Sequence, residues 1–122
     1  MKIRIKGNSV RLRLTKTEVE NLSNKGSFSE KITFPNNTLK YTICAKEGIE
    51  HMNASYEENT ISILIPKKDC LDWPTNSKIG FQHTIKLNKD LGLSILVEKD
   101  FVCMDETVED QTDNYPNPKA NN

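Results

Sequence analysis

The stretch that decides the fold is Lys2-Ile3-Arg4-Ile5-Lys6-Gly7-Asn8-Ser9-Val10-Arg11-Leu12-Arg13-Leu14. Charged and apolar residues alternate on both sides of Gly7-Asn8-Ser9, the mark of two half-buried strands. Gly and Asn tolerate positive φ, so the interruption reads as a turn and the stretch as a β-hairpin. On that reading Ile3, Ile5, Val10, Leu12 and Leu14 face a core, and Lys2, Arg4, Lys6, Arg11 and Arg13 share the opposite face. Five cations on one ribbon, with no acid between them, repel one another unless an anion lies near. The plainer alternative is a solvated face whose charges block edge pairing.

The next residues carry the pattern outward. Thr15-Lys16-Thr17-Glu18 has the spacing of a capping box, which predicts a short helix to about Ser23, closed by Asn24-Lys25-Gly26. Strands are predicted over 28–34 and 39–46, joined by Pro35-Asn36-Asn37. The same order then recurs. A hairpin over 56–65 turns at Glu57-Glu58-Asn59, Pro66 opens a short helix that ends at Pro74, and strands follow near 78–87 and 92–99. Shifting the first half by 51 residues lays Val10 on Ile61, Leu12 on Ile63, Leu14 on Ile65, Leu22 on Trp73 and Phe34 on Ile85. After a connection three residues longer, Leu39 to Ile43 fall on Leu93 to Val97. The expected fold is therefore mainly β, of α+β class. Two β-β-α-β-β repeats are expected in one domain over 1–103, with repeats at 1–48 and 52–100.

Gly7-Asn8-Ser9-Val10-Arg11-Leu12-Arg13-Leu14-Thr15-Lys16 resembles the core motif of the swapped-hairpin transcription factors, the AbrB/MazE-like antitoxins and regulators. Thr15 stands where that family prefers Pro, whereas the second half has Ile65-Pro66-Lys67. The resemblance implies two interleaved hairpin units, here the two repeats of one chain, forming a compact, barrel-like pseudo-dimer, with Arg13 contacting DNA and Asn8, Arg11 and Lys16 nearby. The second half lacks the same charges, with Leu64 in the place of Arg13 and Glu57-Glu58 in that of Lys6-Gly7. Over nearly its whole length, from the opening hairpin through Val97–Asp105 to Pro116-Asn117-Pro118, the chain also resembles a family of uncharacterised bacterial proteins.

A net charge of zero conceals a gradient. Residues 1–50 carry ten Lys/Arg against five Glu, 51–100 are near balance at −1, and 101–122 stand at −4. The acidic segment 104–122 reads as an extended or disordered tail. Its acids Asp105, Glu106, Glu109, Asp110 and Asp113 are expected to lie on the basic hairpin face, and that face with Asn8 and Lys16 is the expected site for anions or nucleic acid. No apolar run approaches a membrane span, the opening alternation is unlike a signal peptide, and three widely spaced cysteines suit reduced thiols, so the expected location is cytoplasmic.

The catalytic inventory is thin. His51 and His83 have no nucleophile or carboxylate at motif spacing and the five glycines form no phosphate loop, so no catalytic residue and no cofactor are assigned. Within Glu98–Glu106, Asp100, Cys103 and Asp105 are the nearest approach to a metal set, although a strand end running into a solvated acidic segment is the better explanation and no metal is assigned. The expected function is a binding module whose partner is an acidic protein or its own tail, acting as a monomer or homodimer. The alternatives are a DNA-binding regulator and an unrecognised metal protein or enzyme.

Overall fold

The computed structural model describes residues 1–101 and 112–116. Strands β1 (Lys2–Lys6) and β2 (Ser9–Leu14) form the first hairpin, followed by helix α1 (Lys16–Lys25) and strands β3 (Ser27–Thr33) and β4 (Thr38–Lys46). The second half has β5 (Asn53–Glu57), β6 (Thr60–Pro66), the four-residue α2 (Lys67–Cys70), β7 (Gly80–Lys86) and β8 (Gly92–Lys99).

Local chemistry accounts for these limits. The Thr15 hydroxyl accepts the Glu18 amide at 3.4 Å, while the Glu18 carboxylate accepts the Thr15 amide at 2.8 Å, completing the capping box. Gly26 closes α1 in the left-handed region at φ 85°, its N–H donating to the Leu22 carbonyl. The β5–β6 turn places Glu58 and Asn59 at φ 49° and 59°, the left-handed pair that a two-residue hairpin needs.

The strands make two four-stranded sheets, ordered β1-β2-β8-β7 and β3-β4-β6-β5. Each sheet joins a hairpin from one half of the chain to a hairpin from the other. The central pairs, β2 with β8 and β4 with β6, run parallel, whereas the outer pairs are antiparallel. Leu12, Leu14, Ile95 and Val97 of the first sheet meet Ile43, Ile63 and Ile65 of the second in one core. Val19 and Leu22 of α1, with Cys70 and Trp73, close its helix end. Trp73 is fully buried, donates its indole N–H to the Lys78 carbonyl at 2.8 Å and meets Phe81 edge-on.

The expected barrel does not close. Among the described residues, no ladder joins one sheet to the other, and β1, β7, β3 and β5 remain edges. A layer of side chains separates the sheets, so contacts at their margins are made by side chains as well. The Tyr41 hydroxyl donates to the Met1 carbonyl at 3.2 Å, and His51 stacks on His83 at 4.7 Å between ring centres. At the turn end, away from the helices, the gap opens into an apolar cleft of about 460 Å³.

Candidate functional site

The outer face of the first sheet follows from its register. Lys2 pairs with Arg13, Arg4 with Arg11, and Lys6 with Ser9, so the five cations of the opening hairpin stand on one side. Along β2, Ser9, Arg11 and Arg13 are less buried than Val10, Leu12 and Leu14, which face the core. The same outer face takes Ser94, Leu96 and Glu98 from β8, which pair with Ser9, Arg11 and Arg13.

Glu98 is the acid at its centre. One carboxylate oxygen, Oε1, accepts Arg11 Nε at 2.6 Å and Arg13 Nε at 2.9 Å. The Arg11 guanidinium also approaches that oxygen through a terminal nitrogen at 2.6 Å. Charge-assisted bonds of this kind hold geometry well, although partial exposure keeps their net stabilisation small. Lys2 pairs at 3.1 Å with Asp100 Oδ2, an oxygen that is buried and accepts no hydrogen bond of normal geometry. The ion pair, made off the hydrogen-bond directions, is what compensates that carboxylate.

Arg4 and Lys6 are exposed and have no side-chain partner among the described residues. They border a groove of about 460 Å³ whose wall also includes Ser9, Arg11, Gln82 and Ser94. Among the described residues, five cations stand against Glu98 and Asp100 on this face, with the excess beside Arg4 and Lys6.

Other predicted residues are placed elsewhere. The Asn8 side chain donates to the Gly92 carbonyl at 2.9 Å and ties the hairpin turn to the start of β8. Lys16 stands over the Tyr115 ring at 5.9 Å, at the helix end. Asp113, expected on the cation face, lies at the first turn of α1, where it accepts the Thr17 hydroxyl at 3.1 Å and its own carbonyl accepts the Lys16 amide. Hydrogen bonding from the Thr15 hydroxyl, then from Thr17, with the Lys16 charge, outweighs partial burial and holds its carboxyl below the usual range. Asp105, Glu106, Glu109, Asp110 and Cys103 lie outside the described residues. Of the metal set, Asp100 alone is therefore placed, and among the described residues no three His, Cys, Asp or Glu side chains gather to hold an ion.

Sequence reasoning overlooked two arrangements. Lys99 is buried, donates to the Asn76 carbonyl at 2.7 Å and lies 4.8 Å from the Tyr115 ring centre; desolvation lowers its ammonium pKa. Its place on the apolar side of β8, between Val97 and Phe101, was the available signal. The His51–His83 stack joins residues with no shared motif, and nothing in their spacing announced it.

The second sheet has Lys31, Lys40 and Lys46 on the outer side of β3 and β4, but its β5–β6 hairpin does not repeat the cations of the first. Asn53, Ser55 and Glu57 of β5 stand where the first has Lys2, Arg4 and Lys6 under the 51-residue shift. Ser62 and Leu64 replace Arg11 and Arg13. Among the described residues, the chain is thus mainly β and two-sheeted, with its densest cation cluster on the outer face of the first sheet. Its sequence belongs to DUF7009, a family of unknown function whose model matches residues 1–119. No curated protein and no solved structure matches it. No helix among the described residues is long and apolar enough to cross a membrane.

Proposed function

We propose that the protein is a binding module that receives one acidic polypeptide on the outer face of its first sheet. The observation that carries this reading is the register that puts Lys2, Arg4, Lys6, Arg11 and Arg13 on one surface, with Arg4 and Lys6 unengaged among the described residues. The lack of matching cations on the β5–β6 hairpin favours a single partner segment over a two-fold one. Asp105, Glu106, Glu109 and Asp110 belong to the proposal as an internal competitor for the same cations.

The strand pattern supports a second reading of the fold. Under the shifts of 51 and 54 residues, the pairs Ser9–Ser94, Val10–Ile95 and Leu14–Lys99 map onto Thr60–Lys40, Ile61–Tyr41 and Ile65–Ala45, which are pairs of the other sheet. We infer a duplicated ββαββ unit whose halves exchange hairpins, a one-chain counterpart of the swapped-hairpin dimer. That topology is the observation favouring a DNA-binding regulator as the alternative function.

Fluorescence anisotropy with a labelled oligoglutamate peptide and with duplex DNA, at several salt concentrations, tests both. The acidic peptide should bind at low salt, and Arg4→Glu with Lys6→Glu should weaken it by about tenfold or more, corresponding to at least 1.4 kcal/mol. Unchanged affinity in that double variant would sink the proposal. Tighter binding to DNA, with a log–log salt slope of roughly −4 for five phosphate contacts, would establish the alternative instead.

A further inference from the structure

We propose that the acidic partner binds as an added strand along β1, its apolar side chains seated in the cleft between the two sheets. This rests on the acidic-polypeptide reading above and specifies the partner. Among the described residues β1 pairs with β2 alone, and no described strand takes the backbone groups along its other margin. A strand laid there presents alternate side chains to opposite faces. One set meets Arg4 and Lys6 on the cationic side. The other set points toward the cleft, whose walls are Ile5, Val10, Leu39, Tyr56, Ile61 and Leu93.

Three observations join the two surfaces. Ser9 and Val10, successive residues of β2, line both the basic groove and the apolar cleft, so the cavities meet around one hairpin end. Ile5 is 62% exposed and Tyr56 67% exposed at the cleft, large apolar side chains left in water for want of a cover. The β1–β2 turn at the cleft is uncrowded: a Cβ built on Gly7 would meet nothing within 4 Å. A volume of about 460 Å³ admits one or two bulky side chains. The matching chemistry is an extended segment in which acidic and apolar residues alternate.

Two labelled peptides of equal length and charge make the test, one alternating Glu with Val and the other Glu with Ser. The Glu/Val peptide is expected to bind about tenfold tighter, a difference of 1.4 kcal/mol. Ile5→Thr with Tyr56→Ser should erase that gain and leave the Glu/Ser affinity unchanged. Both positions are exposed, and an unaltered circular dichroism melt would confirm the fold. Slowed hydrogen exchange of β1 amides on binding reports the added strand directly. Equal affinities of the two peptides, or a gain that survives the double variant, overturns the inference while the acidic-partner reading stands. Failure of the Glu/Ser peptide to bind, or indifference to Arg4→Glu with Lys6→Glu, would instead remove that underlying reading.

Discussion

Arg13 stands directly across the parallel β2–β8 pairing from Glu98, and its Nε donates to Glu98 Oε1 at 2.9 Å. The same oxygen takes Arg11, so one carboxylate restrains two of the five cations. Glu98→Gln keeps the side-chain shape and removes the charge. It should raise affinity for an acidic peptide severalfold, because both guanidinium groups become available and the face gains a positive charge. The cost in stability should be about 1 kcal/mol, the scale of a lost charge-assisted bond at a partly exposed site. Titration of wild type and variant, beside urea unfolding, checks both; weaker peptide binding would show that Glu98 orients the arginines rather than restraining them.

The acids of residues 105–110 give an independent handle on the same surface. Converting Asp105 and Asp110 to Asn, and Glu106 and Glu109 to Gln, removes four negative charges without shortening the chain. If these acids compete for the hairpin cations, affinity for oligoglutamate rises and the rise shrinks at high salt. Deleting everything after Phe101 is a poorer test, since it also removes Asp113 from α1 and Tyr115 from its packing on Phe101. Indistinguishable binding curves at low salt would exclude competition.

The hairpin, its turn and its five-cation face were all readable in residues 2–14, because period-two alternation assigns sides before any partner is known. The Thr15–Glu18 capping box was equally local. Partnership across the chain was hidden. Pairing of Arg13 with Glu98 depends on β2 lying beside β8 from the other half, and no alternation states which strands become neighbours. The barrel expectation failed for the same reason: strand count and order were legible, but sheet closure depends on hydrogen bonding at edges that side-chain patterns do not describe. Asp113 was counted with the other acids by charge, whereas hydrogen bonds and the exposed amides at the start of α1 decided its place.

That placement makes stability depend on acidity. The Asp113 carboxyl titrates below its ordinary 3.8 in the folded chain, chiefly through the Thr15 and Thr17 hydroxyls. A depressed folded pKa means that the contribution is present above the unfolded value and is lost as pH falls through the folded one. Asp113→Ala should therefore lower stability at neutral pH by about 0.3–1 kcal/mol, the usual range for an acid at a helix start. The gap between variant and wild type should close as the pH drops below 3.8. Parallel urea titrations at neutral and strongly acidic pH would check this, and a gap that persists in acid would assign the loss to packing rather than charge.

Gly80 tests how tightly the site is built into the sheet. It pairs with Glu98, and a Cβ at this position would stand 2.5 Å from the Val97 carbonyl oxygen and 2.7 Å from Glu98 Cβ. The carbonyl belongs to the backbone and the Cβ to the root of a side chain, so neither can swing aside; β7 must move away from β8. Gly80→Ala is accordingly expected to cost about 1–3 kcal/mol, the range for overpacking. Gln82→Ala, on the exposed side of the same strand, should fall within about 0.5 kcal/mol of wild type. Because the displaced residue is Glu98, the damage should extend to its contacts with Arg11 and Arg13, and arginine Nε–H signals should broaden or shift in Gly80→Ala but not in Gln82→Ala. An alanine tolerated at Gly80 with those signals unmoved would mean that β7 and β8 are farther apart there than the register places them.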